Sequence, residues 1–323
     1  MRALVTGIGG FIGFHVAARL AAAGHAVCGV DDFNDYYDVA LKKARAAALP
    51  GEVAVSELDI ADGDRFAAYV AEQDPDVVVH LAAQAGVRYS IENPFAYAHS
   101  NLQGHLSVLE ACRRANRLSH LVYASSSSVY GQNSQSPFRE AERADKPVSL
   151  YAATKRSSEL LSESYAHLYG LKQIGLRFFT VYGPWGRPDM AYWIFTQRIL
   201  AGEPIRVFNH GDMRRDFTYV DDVTKSIVEI VKAPEKASFD DTPHTVYNVG
   251  NQSPEKLMTM IDTLQDLTGR KAQLQFEGMQ PGDVKETCAD VSRLAADFGY
   301  NPSTPLATGL RSFVDWFRAH HGV

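Results

Sequence analysis

Tyr151 and Lys155 stand four positions apart in Tyr151-Ala-Ala-Thr-Lys155. On a helix that spacing puts a phenol and an ammonium on one face, where the cation can draw the phenol's pKa down through space. The chemistry on offer is a hydroxyl acid/base usable near neutral pH. The Tyr-x-x-x-Lys pattern is common by chance, and a surface aromatic beside a solvated lysine satisfies it equally well. Its weight comes from two companions. These are a serine run, Ser125 to Ser128, and the opening string Thr6-Gly7-Ile8-Gly9-Gly10-Phe11-Ile12-Gly13.

The elements around these groups read consistently. Arg2 to Thr6 is a short apolar strand, Phe11 to Ala23 an apolar helix opened by Phe11 and Ile12, and Gly7, Gly10 and Gly13 connect them. Such a strand, tight turn and helix brings backbone N–H groups and a helix N-terminus against a pyrophosphate; an ordinary glycine turn is the plainer alternative. The next strand, Ala26 to Val30, argues against that alternative because it ends in Asp31 and Asp32. A carboxylate there binds ribose hydroxyls and repels a 2′-phosphate, which favours NAD over NADP. Asp59, followed by Ile60, is placed near the adenine, with a turn aspartate as the competing reading. Together these features predict an enzyme that moves hydride at a sugar-like alcohol.

Up to about residue 180, strands at Val77–His80, Leu118–Ala124 and Gln173–Phe178 alternate with helices at Ala61–Gln73, Phe95–Arg114 and Leu150–Tyr169. That order predicts an α/β fold, a doubly wound parallel Rossmann sheet with its site at the strand C-termini. The serine run and Leu81-Ala82-Ala83 both follow such strands. Beyond Tyr182-Gly-Pro-Trp-Gly-Arg187-Pro, short strands at Ile205–Phe208 and Arg215–Val220 mix with helices at Met190–Ala201, Val223–Lys232 and Glu255–Thr268. We expect a nucleotide-binding domain over residues 1–180, rejoined by about 223–250, and a smaller mixed α/β substrate-binding lobe over most of 181–323.

With 323 residues, 46% hydrophobic and 22% charged, the chain has the composition of an ordinary globule with a sizeable core. A net charge of −6 and a pI near 6.0 argue against nucleic acid or an anionic membrane as partner. Cys28, Cys112 and Cys288 are odd in number and widely spaced, which fits buried thiols in a reducing cytosol rather than disulfides or zinc ligands. No metal is expected. With a first strand at residue 2 and no long apolar run, the expectation is a cytoplasmic protein without signal peptide or anchor.

These residues resemble the extended short-chain dehydrogenases/reductases, and within them the nucleotide-sugar 4-epimerases. The likeness rests on the Gly7 loop, Asp31, His80-Leu-Ala-Ala83, Ser125 to Gly131, the Tyr151/Lys155 pair, Leu176 to Gly183, Arg215-Asp216-Phe217 and Tyr219-Val-Asp-Asp-Val223. Three shorter strings, Asn34-Asp-Tyr-Tyr37, Gln84 to Ser90 and Met279-Gln-Pro-Gly-Asp-Val284, look like UDP-glucuronate 4-epimerases. The resemblance implies bound NAD, held by Gly7, Gly10, Phe11, Ile12, Gly13, Asp31, Asp59, Ile60, Leu81, Ala82, Ala83 and Lys155. It implies oxidation of the sugar at C4, rotation of the 4-keto sugar, and hydride return to the opposite face. Tyr151 would be the acid/base, kept as phenolate by Lys155. Ser126 or Ser128 would bridge it to the substrate oxygen.

For the substrate, the resemblance assigns Arg215 to the UDP pyrophosphate and Asp283, Val207 and Phe208 to the nucleoside. Arg88 and Arg187 are further candidates near the cofactor or sugar end. Gln280 occupies a position where many sugar epimerases carry a phosphate-binding arginine, and the uronate subgroup shares this glutamine. Thr180 replaces the usual asparagine of galactose epimerases, which leaves room for a C6 carboxylate that Ser127 and Ser128 would also grip. Related dehydratases and decarboxylases carry acidic residues in or near the serine run, where this chain has none. An epimerase of neutral UDP-glucose/UDP-galactose is the main alternative, followed by a UDP-uronate decarboxylase and a non-catalytic dinucleotide sensor, the last opposed by an intact Tyr/Lys pair. The resemblance also implies a homodimer through the helices at Phe95–Arg114 and Leu150–Tyr169.

Overall fold

The structure, a computed structural model, describes residues 1–133, 135–280 and 282–323; Pro281 of the Met279–Val284 string lies outside them. Twelve strands form among the described residues: β1 (Arg2–Thr6), β2 (Ala26–Asp31), β3 (Ala54–Glu57), β4 (Val77–His80), β5 (His120–Ser126), β6 (Gln173–Phe178), β7 (Thr180–Tyr182), β8 (Pro204–Val207), β9 (Arg214–Tyr219), β10 (His244–Val249), β11 (Pro254–Lys256) and β12 (Gln273–Phe276). Seven of them make one all-parallel sheet in the order β10-β6-β5-β4-β1-β2-β3. β4 lies against β1 rather than β3, so the order reverses between β1 and β4. A crevice opens there above the strand ends, the usual ligand position of a doubly wound sheet.

Near-continuous burial of β1, β4, β5 and β6 follows from helices covering both faces of the sheet. Apolar residues of helix Phe11–Ala22 pack on one side with helix Val220–Lys232, and those of Gly63–Gln73 and Gly104–Arg114 on the other. Helix Val220–Lys232 begins three residues earlier than its pattern suggests, because Asp221 and Asp222 suit the positive end of a helix and need not lie outside it.

The helix expected over Phe95–Arg114 is not regular. A π-turn at Ala98–Gln103 interrupts it, and it turns Asn101 inward to bond the backbone of Gln84 and the Thr154 hydroxyl. Beyond β6, a three-stranded sheet (β11-β9-β7) and a β12-β8 pair build a second layer with its own core. That core includes Tyr192, Trp193, Phe217, Ile261, Leu310 and Phe313. The chain returns to the large sheet through β10, which pairs with β6.

Candidate functional site

The cleft at the switch point is built by the two segments that the sequence nominates. Gly7 sits at φ 70°, and a side chain there would collide with the backbone of Ala82, 2.6 Å from an added Cβ. Only glycine lets the first turn lie against the segment leaving β4. Gly7, Gly10, Phe11, Ile12 and Gly13 line this cleft with Asp31, Asp59, Ile60, Leu81, Ala82, Ala83 and Lys155, so all twelve expected cofactor residues converge. Asp31 accepts from the backbone N–H of Gly9 (3.0 Å) and of Phe33 (2.9 Å). Its burial raises the carboxyl pKa, an effect opposed chiefly by the Phe33 bond. Asp59 accepts from Ala61 N at 2.8 Å and lies 2.7 Å from His99 Nε2. A glycine-lined helix start and a carboxylate at the end of β2 are the donor and acceptor set that a dinucleotide's pyrophosphate and ribose require.

Helix Leu150–Tyr169, started by the Ser149 hydroxyl accepting from Ala152 N, carries Tyr151 and Lys155 to this cleft. Lys155 Nζ donates to the Ala124 carbonyl at 2.9 Å. Burial lowers its pKa to about 8, with Glu159 one turn on pulling the other way. The expected acidification of Tyr151 by Lys155 is not achieved by the protein alone. Burial pushes the phenol above its ordinary value, while the Ser126 hydroxyl and Arg187 pull it back. Ser126 Oγ accepts from Ser128 N (3.2 Å) and Ser128 Oγ (2.9 Å), which leaves its own proton to donate.

A second cavity, about 740 Å³, adjoins the first. Ser126, Tyr151 and Arg187 line both. Of the residues nominated for the substrate, Ser127, Ser128, Thr180, Arg88, Phe208, Arg215 and Asp283 line the second cavity. Alternation along β9 sends Arg215 into the cavity while Asp216 is buried, accepting from the N–H groups of Asn251, Gln252 and Ala289. At the far end Phe208 is flanked by two guanidiniums, Arg88 at 4.9 Å and Arg206 at 5.0 Å from the ring centre. Arg88 also lies 3.6 Å from Asp283.

Two expectations need correction. Val207 does not line the cavity: it is fully buried in the second core, and its neighbours Arg206 and Phe208 form the wall. Gln280 is likewise not among the lining residues, and its buried carboxamide oxygen meets no hydrogen-bond donor among the described residues. Sequence reading also missed Tyr36 and Asp189. Tyr36 lines both cavities and donates to Asp189 Oδ2 at 3.1 Å, and Asp189 in turn holds Arg187 bidentately at 3.0 and 2.6 Å. The string Asn34-Asp-Tyr-Tyr37 was the available signal for Tyr36. Among the described residues no His/Cys/Asp/Glu cluster suits a metal ion, and no helix is long and apolar enough to cross a membrane.

Fold and site together define an α/β protein of the dinucleotide-binding type, whose glycine-loop cleft meets a second cavity at Ser126, Tyr151 and Arg187. Residues 3–250 match the NAD dependent epimerase/dehydratase family, and the chain belongs to that family. A probable UDP-glucuronate 4-epimerase of Rhizobium meliloti is 48% identical over 347 residues, covering 100% of both chains. Among solved structures, UDP-glucuronic acid 4-epimerase from Bacillus cereus in complex with UDP-glucuronic acid and NAD superposes with a TM-score of 0.90 at 32% identity, over 99% of this chain and 100% of that one. UDP-glucose 4-epimerase from Thermotoga maritima with UDP-glucose gives 0.87 at 29%, over 99% and 100%.

Proposed function

We propose that the protein is a NAD-dependent UDP-glucuronate 4-epimerase, interconverting UDP-glucuronate and UDP-galacturonate. The observation that carries this reading is the shared boundary of the two cavities, where Ser126, Tyr151 and Arg187 face both. A sugar bound in the second cavity then presents one carbon to the acid/base and to the nucleotide cleft together. The similarity to the uronate epimerases of Rhizobium meliloti and Bacillus cereus supports the same substrate.

Tyr151 takes the C4 hydroxyl proton and later returns it, with Ser126 holding the same oxygen. Lys155, fastened to Ala124, favours the phenolate electrostatically. NAD, when bound in the glycine-loop cleft, would supply the reversible hydride acceptor and a positive charge that favours the phenolate. Arg215 holds the pyrophosphate, for which its planar fork is suited. Phe208, with Arg88 and Asp283, holds the nucleoside end. Ser127, Ser128 and Thr180, with Arg187, grip the C6 carboxylate. Residues 1–180 with the returning 223–250 segment form the nucleotide unit, and the rest of 181–323 forms the sugar-nucleotide lobe.

The assembly is a homodimer. Ile91, Phe95, Leu106, Leu150, Leu160 and Leu168 are exposed on the segments around Tyr89–Arg114 and Leu150–Tyr169, apolar surface that pairing of these segments across a two-fold axis would bury. Light scattering of the wild type and of Leu160→Glu tests this, and a monomeric wild type refutes it. The activity is tested by turnover of UDP-glucuronate and UDP-glucose under identical conditions. Higher kcat/KM on the uronate is expected, and the reverse order makes the enzyme a neutral-sugar epimerase.

A further inference from the structure

Arg45, on helix Val39–Ala47, is fully buried. Its guanidinium bonds three backbone carbonyls and one phenol, with no carboxylate among these partners. Nη1 donates to Gly9 O at 3.1 Å and to the Tyr37 hydroxyl at 2.7 Å, Nε to Trp185 O at 3.0 Å, and Nη2 to Gly186 O at 2.7 Å. Removing a guanidinium from water is tolerable only when its donors are answered. Here the answering groups come from the glycine loop and from the turn just before Arg187. Gly9 is held from both sides, its N–H by Asp31 and its carbonyl by Arg45. A second strap leaves the same segment: the Tyr36 hydroxyl donates to Asp189 Oδ2 at 3.1 Å, the oxygen that also takes Arg187 Nη2 at 2.6 Å. The turn over residues 185–189 is therefore gripped on both sides of Arg187 by a segment that starts at the nucleotide-cleft residues Asp32 and Asn34.

We propose that Arg45, seconded by Tyr36, is a positioning residue that locks the turn carrying Arg187 to the glycine loop. The cation facing the sugar is thereby set in place relative to the cofactor loop. This rests on the assignment of Arg187 to the sugar carboxylate. Lysine at position 45 keeps the charge but lacks the planar fork that reaches three carbonyls at once.

The test is Arg45→Lys holoenzyme, with steady-state kinetics on both sugars and NAD content after denaturation. KM for UDP-glucuronate is expected to rise about tenfold with kcat held within about threefold, while KM for UDP-glucose moves by less than about threefold. The variant also purifies with less NAD, because the Gly9 carbonyl has lost its clamp. Equal losses on both sugars, as mere loosening of the fold produces, or an unchanged KM overturn the proposal. Where Arg45→Lys does not fold, Tyr36→Phe, which removes one hydroxyl, carries the same comparison at about threefold, and an unchanged KM again overturns it. A wild type inactive on UDP-glucuronate refutes the role of Arg187 rather than the clamp. NAD content of Arg45→Lys and wild type, measured without sugar, then decides, and equal content overturns the clamp.

Discussion

Arg177 grips Glu159 with two bonds, Nε to Oε1 at 2.8 Å and Nη2 to Oε2 at 2.9 Å, in the interior one helical turn beyond Lys155. The Ser125 hydroxyl adds a third bond to Glu159 at 2.6 Å, and Arg156 a fourth at 2.8 Å. Arg177 continues to the Tyr130 hydroxyl at 3.0 Å, which donates to Asn248 of β10 at 2.6 Å. The strand end below Lys155 and the returning strand are thus one polar network inside an apolar sheet.

Removing Arg177 leaves the buried Glu159 carboxylate with only the Ser125 hydroxyl and the partly exposed Arg156 to answer it. Arg177→Met is expected to lower stability by about 3–5 kcal/mol, measured by denaturant unfolding with NAD held saturating. Burial raises the Glu159 pKa, but the Arg177 bonds and charge outweigh it and leave the carboxyl below its ordinary value. The pair's contribution is therefore fully present above the unfolded carboxyl's pKa of about 4.3 and is lost as pH falls through the lower folded value. Glu159→Gln should flatten the decline of Tm below about pH 4; an unchanged slope there is the contrary result.

Tyr151→Phe should cut kcat by about 10²–10⁴-fold while NAD stays bound. Retention of more than half the wild-type kcat refutes Tyr151 as the acid/base. The group beside it supplies a pH signature. Lys155 must be charged to favour the phenolate, and burial brings its pKa to about 8, so kcat/KM should fall as pH rises through that value. Lys155→Met should abolish the alkaline limb, and a limb that survives belongs to another group.

The proposed cofactor selector is Asp31, whose two oxygens already serve Gly9 and Phe33. The wild type should prefer NAD to NADP, since a 2′-phosphate would meet this carboxylate. Asp31→Ala should narrow that gap and lower stability by about 1–3 kcal/mol, because the buried Gly9 N–H loses its acceptor. Equal affinities of the stripped wild type for the two nucleotides would count against the role.

The sugar carboxylate makes the last prediction. Oxidation at C4 of a uronate yields a β-keto acid, which loses CO2 when its carboxylate bond stands perpendicular to the carbonyl plane. Hydroxyl donors that fix the carboxylate's rotation oppose that alignment, each charge-assisted bond contributing about 1.5–3 kcal/mol. Thr180→Ala, alone or with Ser127→Ala, should weaken UDP-glucuronate turnover more than UDP-glucose turnover and divert more substrate to UDP-pentose. Chromatography of the products checks this. Equal loss on both sugars with unchanged partitioning would show that these hydroxyls do not hold the carboxylate.

The sequence by itself determined the parts of the site that are local. Strand, glycine turn and helix follow one another within some twenty residues, Asp31 ends the next strand, and Tyr151 and Lys155 share a helix face through a four-residue spacing. Their placement follows from backbone periodicity and short-range turn geometry. Tertiary structure decided what depends on which face a residue presents and on contacts far apart in the chain. In β8, Ile205 and Val207 turn inward and Arg206 outward; family resemblance made Val207 a candidate for the nucleoside wall, but the second core claimed it. Arg45 bonds carbonyls some 140 positions away, and Arg177 meets Glu159 only because β6 lies beside β5 beneath helix Leu150–Tyr169. No spacing rule reports such pairs, because a buried charge is stable only where the folded chain supplies its partners.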